Sequence, residues 1–200
     1  MTYSPDQHRR RSIRLSGYDY SQNGAYFVTI CTKNRECLLG EIENGEMRLN
    51  DAGRIVVAEW MKTAEIRSGI ELDACVVMPN HFHGIFVVSD GRGTARRAPT
   101  VERFGQPVPG SIPTVIRAFK SAVTKRINER RQIPGEPLWQ RNYYEHVIRN
   151  EDELNRIRQY INDNPAKWDM DKENPHAGNA TTGCKMDDVD VMDWQGHGKW

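Results

Sequence analysis

The sequence predicts a strand-rich α+β domain with strands paired antiparallel and helices on one face. Three observations lead there. Several short runs are rich in β-branched and aromatic residues and are bounded by Gly, Asn or Pro. Three longer stretches carry apolar residues at helical spacing. The strand-like runs fall in neighbouring groups joined by short turns, which suits antiparallel pairing.

In chain order, AYFVTICT at 25–32 is almost continuously apolar and reads as a central strand. Asn34 and Arg35 make a turn, and 37–42 is the second expected strand. Asn44-Gly45 is a hairpin signal before a short third strand at 47–49. Asn50 or Asp51 caps a helix through about Arg67, with Ile55, Val56, Ala58 and Trp60 as its apolar positions. Residues 72–78 and 82–88 are two more β-rich runs, separated by Pro79-Asn80. The stretch 91–110 is rich in Gly, Pro and Arg and reads as a long loop. Residues 111–131 form a helix with the stripe Val115, Ile116, Phe119, Val123 and Ile127. WQRNYYEHVI at 139–148 is irregular or a short strand, with Trp139 read as core. The last helix covers 150–164, where Asn150 and Glu153 have capping-box spacing. Leu154, Ile157 and Ile161 face inward, and Pro165 stops it. Beyond Trp168 the periodicity dissolves, so the expected organisation is one domain, 1–168, and an acidic tail, 169–200.

The chain has 200 residues and a formal net charge of +1. That balance conceals a division. Residues 169–200 carry net −4, residues 1–168 carry net +5, and 91–132 alone carry net +8. Arg9, Arg10 and Arg14 add a basic cluster near the start. Concentrated Lys and Arg suit a phosphate-backbone partner, so a near-neutral total does not exclude nucleic acid. No apolar run approaches the roughly 18 to 20 residues that span a bilayer. The start has no apolar stretch behind its charge, so a cytoplasmic chain is expected. Cys31, Cys37, Cys75 and Cys184 show no C-x-x-C spacing and read as free thiols.

Two constellations carry chemistry. In MPNHFHGIFVV, His81 and His83 are two apart on a strand, so both imidazoles leave one face while Phe82 enters the core. Such a pair is either a metal-ligand pair or a surface or hydrogen-bonded one. In RIRQYINDNPAKW, Tyr160 and Asn164 are one helical turn apart and border the apolar stripe. Tyr160 offers a phenol nucleophile and Asn164 an amide oxygen. Read singly, the phenol is a packing residue and the Asn before Pro a helix terminator. Together with the histidines they suit phosphodiester chemistry: a divalent ion on His81, His83 and Asn164 would polarise the phosphate, and Tyr160 would attack it.

At these residues the chain resembles the REP-associated tyrosine transposases and the related small single-tyrosine HUH transposases. Three blocks carry the resemblance, in order: RRSIRLSGYDYSQNGAYFVTICT, MPNHFH and WQRNYYEHVIRNEDELNRIRQYINDNP, across roughly residues 9–168. The resemblance implies a ferredoxin-like fold with a central antiparallel sheet. It implies a Mg²⁺- or Mn²⁺-dependent single-strand DNA endonuclease and strand transferase acting near hairpins. It carries His81 and His83 onto the HUH pair, Tyr160 onto the nucleophile and Asn164 onto a third ligand. Relatives act as monomers or as homodimers, and either is open here.

Tyr143 and Tyr144, beside His146, are rival nucleophiles; Tyr160 is preferred because it alone has a candidate ligand one turn away. His146 is a possible site neighbour. Arg117, Lys120, Arg156, Arg9, Arg10 and Arg14 are candidate DNA contacts. Two other functions compete: a non-catalytic hairpin DNA-binding protein derived from such a transposase, and a metal-dependent hydrolase acting on something other than DNA.

Overall fold

β1 spans Gly24–Cys31 and lies inside a four-stranded sheet, paired with one strand on each side. Its lack of a polar face follows from burial on both faces. Tyr26, Val28 and Ile30 enter one core, and Phe27 enters another. The computed structural model describes residues 22–89 and 110–177. Arg9, Arg10, Arg14, the segment 91–109 and the chain beyond 177 lie outside the described residues.

β2 (Gly40–Glu43) and β3 (Glu46–Leu49) form a separate hairpin, with Asn44 and Gly45 both at positive φ in its two-residue turn. β2 starts later than the expected 37–42 because Leu39 is taken by the core. Its side chain is fully buried, and its N–H donates to the Pro79 carbonyl at 3.0 Å. α1 (Asp51–Glu65) starts at Asn50, whose side chain accepts the Gly53 N–H. β4 (Ile70–Val77) and β5 (His81–Val88) are joined through Met78, Pro79 and Asn80. α2 is Ile112–Arg131, β6 is Tyr144–Ile148 and α3 is Glu151–Asp163.

The sheet order is β4-β5-β1-β6 and every neighbouring pair is antiparallel. With α1 between β1 and β4, and α2 between β5 and β6, this is the ferredoxin-like split βαβ arrangement. The β2–β3 hairpin is an insertion after β1.

The expectation of helices on one face holds for α1 and α2 only. Their apolar sides meet Tyr26, Val28, Phe82 and Phe86 in the larger core. α3 covers the opposite face, where Ile157 and Ile161 pack on Phe27, Ile85 and Ile148. β5 is therefore sandwiched, which explains an apolar run that alternation alone does not explain.

Trp60 of α1 lies directly over Gly84 of β5, between Phe82 and Phe86 at ring distances of 4.7 and 4.3 Å. A Cβ at position 84 would sit 2.6 Å from the indole. Gly84→Ala should therefore cost about 1–3 kcal/mol through overpacking, read by denaturant unfolding. Unchanged stability would show that the indole is free to move.

An irregularity in β4 between Leu72 and Cys75 interrupts the ladder around Asp73. Asp73 accepts two bonds from the Arg158 guanidinium, at 2.9 and 2.6 Å, tying α3 to the sheet edge. Arg158 first, and the Ala74 N–H further, hold the Asp73 carboxyl below its ordinary range, against the opposing effect of burial. A depressed carboxyl contributes stability above its unfolded value of ~3.9 and loses it as pH falls through the folded value. Arg158→Met should thus lower the thermal midpoint near neutrality. The deficit should shrink as pH drops below about 4, and a pH-independent deficit would point to lost packing instead.

The α3 cap is half of a capping box. Asn150 Oδ1 accepts the Glu153 N–H at 2.9 Å. The Glu153 carboxylate does not return to Asn150. It accepts the Arg149 N–H at 2.6 Å and pairs with His146 Nε2 at 2.9 Å.

Candidate active site

On the α3 face of the sheet, His81 stands opposite Cys31 and His83 opposite Thr29, while Phe82 enters the α1/α2 core. The two imidazoles sit 4.5 Å apart, centre to centre. His81 is wholly buried, and its Nδ1 lies 2.9 Å from Asn80 Oδ1. The orientation of that amide is set by its other end. Asn80 Nδ2 donates to the Arg35 carbonyl at 3.0 Å and to the Glu173 carbonyl at 2.7 Å. The oxygen must then face the ring, so Nδ1 carries the proton and Nε2 presents a lone pair. His81 Nε2 has no hydrogen-bond partner. His83 is held in place by Thr29, with Nδ1 2.8 Å from Thr29 Oγ1, and its ring is stacked on Phe27 at 5.3 Å.

α3 brings the phenol and the amide across. The Tyr160 hydroxyl is 3.4 Å from His83 Nε2, at the long limit of a hydrogen bond. Its ring meets Phe27 edge-on at 6.1 Å. Tyr160 is 44% exposed overall, so the ring is open to solvent on one side while its hydroxyl points inward. Asn164 is buried, and its Oδ1 has no hydrogen-bond partner.

Residues 169–177, assigned to a tail by the sequence, fold back over this face. Asp171 Oδ2 lies 3.8 Å from His81 Nε2. His81, His83 and Asp171 offer ligating atoms all within 4.8 Å of one another. Trp168 lies beside His81, with ring centres 6.0 Å apart.

Burial lowers the His81 pKa, with the Asp171 and Glu173 carboxylates partly offsetting it. Burial, then His81 and Lys172, hold His83 well below the ordinary histidine value. Both rings are therefore neutral near pH 7, as ligands must be. Burial, then Asp171, push the Tyr160 phenol up to about 12, with the Asn164 side chain offsetting part of this. Unionised at neutral pH, the phenol needs a nearby positive charge to become a nucleophile. Two buried polar atoms without partners, His81 Nε2 and Asn164 Oδ1, beside a buried carboxylate, form a donor set that fits a divalent cation.

The remaining candidates fall elsewhere. Arg156 is exposed on α3, one turn before Tyr160. Arg117 is exposed on α2, a helix that packs on the opposite face of the sheet. Lys120 is not a free cation. Its amine donates to the Gln140 and Arg141 carbonyls at 2.6 and 3.1 Å, and burial lowers its pKa to about 8. It pins the segment that leads into β6. His146 is engaged with Glu153 at the start of α3. Tyr143 packs on the α1/α2 core, and Tyr144 lies on the site face beside Phe27. Trp139 is buried in the core.

Sequence reasoning missed Asn80, Thr29, Asp171 and Glu173. Asn80 was legible only as a turn residue, and Asp171 was one acid among seven in its segment.

No protein-family model matches the chain. Its fold is similar to that of a solved REP-associated tyrosine transposase bound to a REP hairpin. The TM-score is 0.52 at 22% identity, over 80% of this chain and 73% of that one. A second solved structure, a candidate transposase from Deinococcus radiodurans, aligns with TM-score 0.43 at 21% identity, over 74% of this chain and 96% of that one. The chain thus has the α+β fold of a tyrosine transposase, with a histidine pair and a tyrosine on one sheet face. It belongs to the same family as an uncharacterized protein of Haemophilus influenzae, with 39% identity over 174 residues that cover 85% of this chain and 96% of that one. Among the described residues, no helix is long and apolar enough to cross a membrane.

Proposed function

We propose that this family belongs to the REP-associated, single-tyrosine HUH transposases, and that the chain nicks and rejoins single-stranded DNA beside hairpins. The observation that carries this reading is the Tyr160 hydroxyl 3.4 Å from His83 Nε2, in a pocket shared with the orphaned His81 Nε2 and Asn164 Oδ1. Packing alone does not require two buried polar atoms to lack partners beside a phenol.

His81, His83 and Asn164 would hold Mg²⁺ or Mn²⁺. Bound there, the cation would supply Lewis-acid charge to the phosphate and to the ionising phenol. The chain's own residues do the rest. Asn80 and Thr29 fix the two imidazoles. α3 holds Tyr160 Oη beside the histidine pair, where it would attack a phosphorus. An O–P bond forms to Tyr160, the P–O3′ bond breaks, and the proton lost by the phenol ends on the departing 3′-oxygen. The product is a 5′-phosphotyrosine and a free 3′-hydroxyl. Rejoining is the reverse attack and needs no nucleotide cofactor. Arg156, exposed one turn from Tyr160, would meet the DNA backbone. Arg117, on the opposite face of the sheet, remains a candidate contact, as do Arg9, Arg10 and Arg14, which lie outside the described residues.

The test uses end-labelled single-stranded DNA carrying a hairpin, with Mg²⁺ or Mn²⁺. The expected result is a strand cut beside the hairpin, with one fragment attached to protein through denaturing electrophoresis. Tight hairpin binding with no cut strand under any cation would instead indicate the non-catalytic hairpin-binding protein.

A further inference from the structure

We infer that Asp171 is a fourth donor of the cation site, delivered by a strap, residues 171–174, that Asn80 keys to the histidine strand. This rests on the cation-site reading above and extends it by a residue outside the HUH pair and the tyrosine helix.

Three observations converge. The first is position. Two donors each about 2.1 Å from one ion lie at most about 4.2 Å apart. Asp171 Oδ2 and His81 Nε2 are 3.8 Å apart, too long for a hydrogen bond and within that span.

The second is electrostatic. The Asp171 side chain is only 6% exposed. One oxygen accepts the Glu173 N–H at 2.7 Å, and the other faces the unpartnered His81 Nε2. Among the described residues no Lys or Arg forms an ion pair with it. A buried carboxylate without a cationic partner is costly, and a bound cation would provide that partner.

The third is how firmly the strap is held. Its Glu173 carboxylate takes Arg35 at 2.9 Å and the Cys31 thiol at 3.5 Å, and its Glu173 carbonyl takes Asn80 Nδ2. Asn174 bonds back to the Asp171 and Trp168 carbonyls. Asn80 therefore does two jobs. It sets the His81 tautomer with its oxygen and fixes the Asp171 segment with its nitrogen. Donors ninety residues apart, His81 and Asp171, are brought into register by one amide.

The experiment is a Mn²⁺ titration of the metal-stripped full-length chain, reading free Mn²⁺ by electron paramagnetic resonance. Wild type should bind one ion at this site. Asp171→Asn, which keeps an acceptor for the Glu173 N–H, should bind at least about tenfold more weakly. Asp169→Asn, an exposed acid two residues away, should match wild type. Asp171→Ser is a second variant, and unfolding midpoints in chelator report on the fold of each. Equal or tighter Mn²⁺ binding by Asp171→Asn and Asp171→Ser would overturn the inference and make the strap a cover over the site. If His81→Ala binds as wild type does, or wild type binds no ion, the cation-site reading fails and the Asp171 role falls with it.

Discussion

Tyr160→Phe is expected to reduce strand cleavage by at least about a thousandfold, the scale on which loss of a nucleophile acts, while hairpin affinity changes less than twofold. The substitution removes one oxygen and keeps the ring. The edge contact with Phe27 at 6.1 Å and the contact with His83 at 5.3 Å both survive. Tyr160 is also 44% exposed, so little core is disturbed. A lost rate with an intact fold is then a chemical effect. Tyr143→Phe and Tyr144→Phe are the comparison. Tyr143 points into the α1/α2 core, and Tyr144, though on the site face, is half-buried on β6, its phenol raised by burial and by Glu153. Cleavage that survives in Tyr160→Phe and vanishes in Tyr144→Phe would move the nucleophile to β6.

His81→Ala should have the second-largest effect, loss of cation-dependent cleavage by several orders of magnitude. It should also cost about 1–3 kcal/mol of stability, because Asn80 Oδ1 loses its donor in a buried position. The two consequences are separable. Divalent cation should raise the thermal midpoint of the wild type, since a ligand that binds only the folded state stabilises it. The same cation should leave the His81→Ala midpoint unmoved. Cleavage that continues in His81→Ala at the wild-type rate would remove the cation site from the mechanism.

Much of this architecture was legible because it is local. Runs of β-branched and aromatic residues marked β1 and β5, helical spacing marked α1, α2 and α3, and Asn50 and Asn150 marked two helix starts. Two-residue spacing placed His81 and His83 on one face, and four-residue spacing placed Tyr160 above Asn164. What was not legible depends on pairing between distant segments. The side of the sheet that α3 covers is decided by Ile157 and Ile161 meeting Phe27 and Ile85, and an amphipathic stripe does not name its partner. The place of Lys120 depends on the carbonyls of residues 140 and 141, so its charge read as available when it is engaged. Asp171 lay in a stretch without periodicity, and contacts from Asn80, Arg35 and Cys31 to Glu173 bring it to the histidines. Low periodicity there signals absence of a regular element, not absence of structure.

The most direct measurement of the central claim is peptide mapping of the protein–DNA adduct. The chain is incubated with hairpin-bearing single-stranded DNA and Mn²⁺, denatured, digested with nuclease and protease, and mass-analysed. The account predicts that the residual nucleotide is attached through a 5′-phosphate to the peptide containing Tyr160, and to no other peptide. A nucleotide on Tyr143 or Tyr144, or cleaved DNA without any covalently modified peptide, would contradict it.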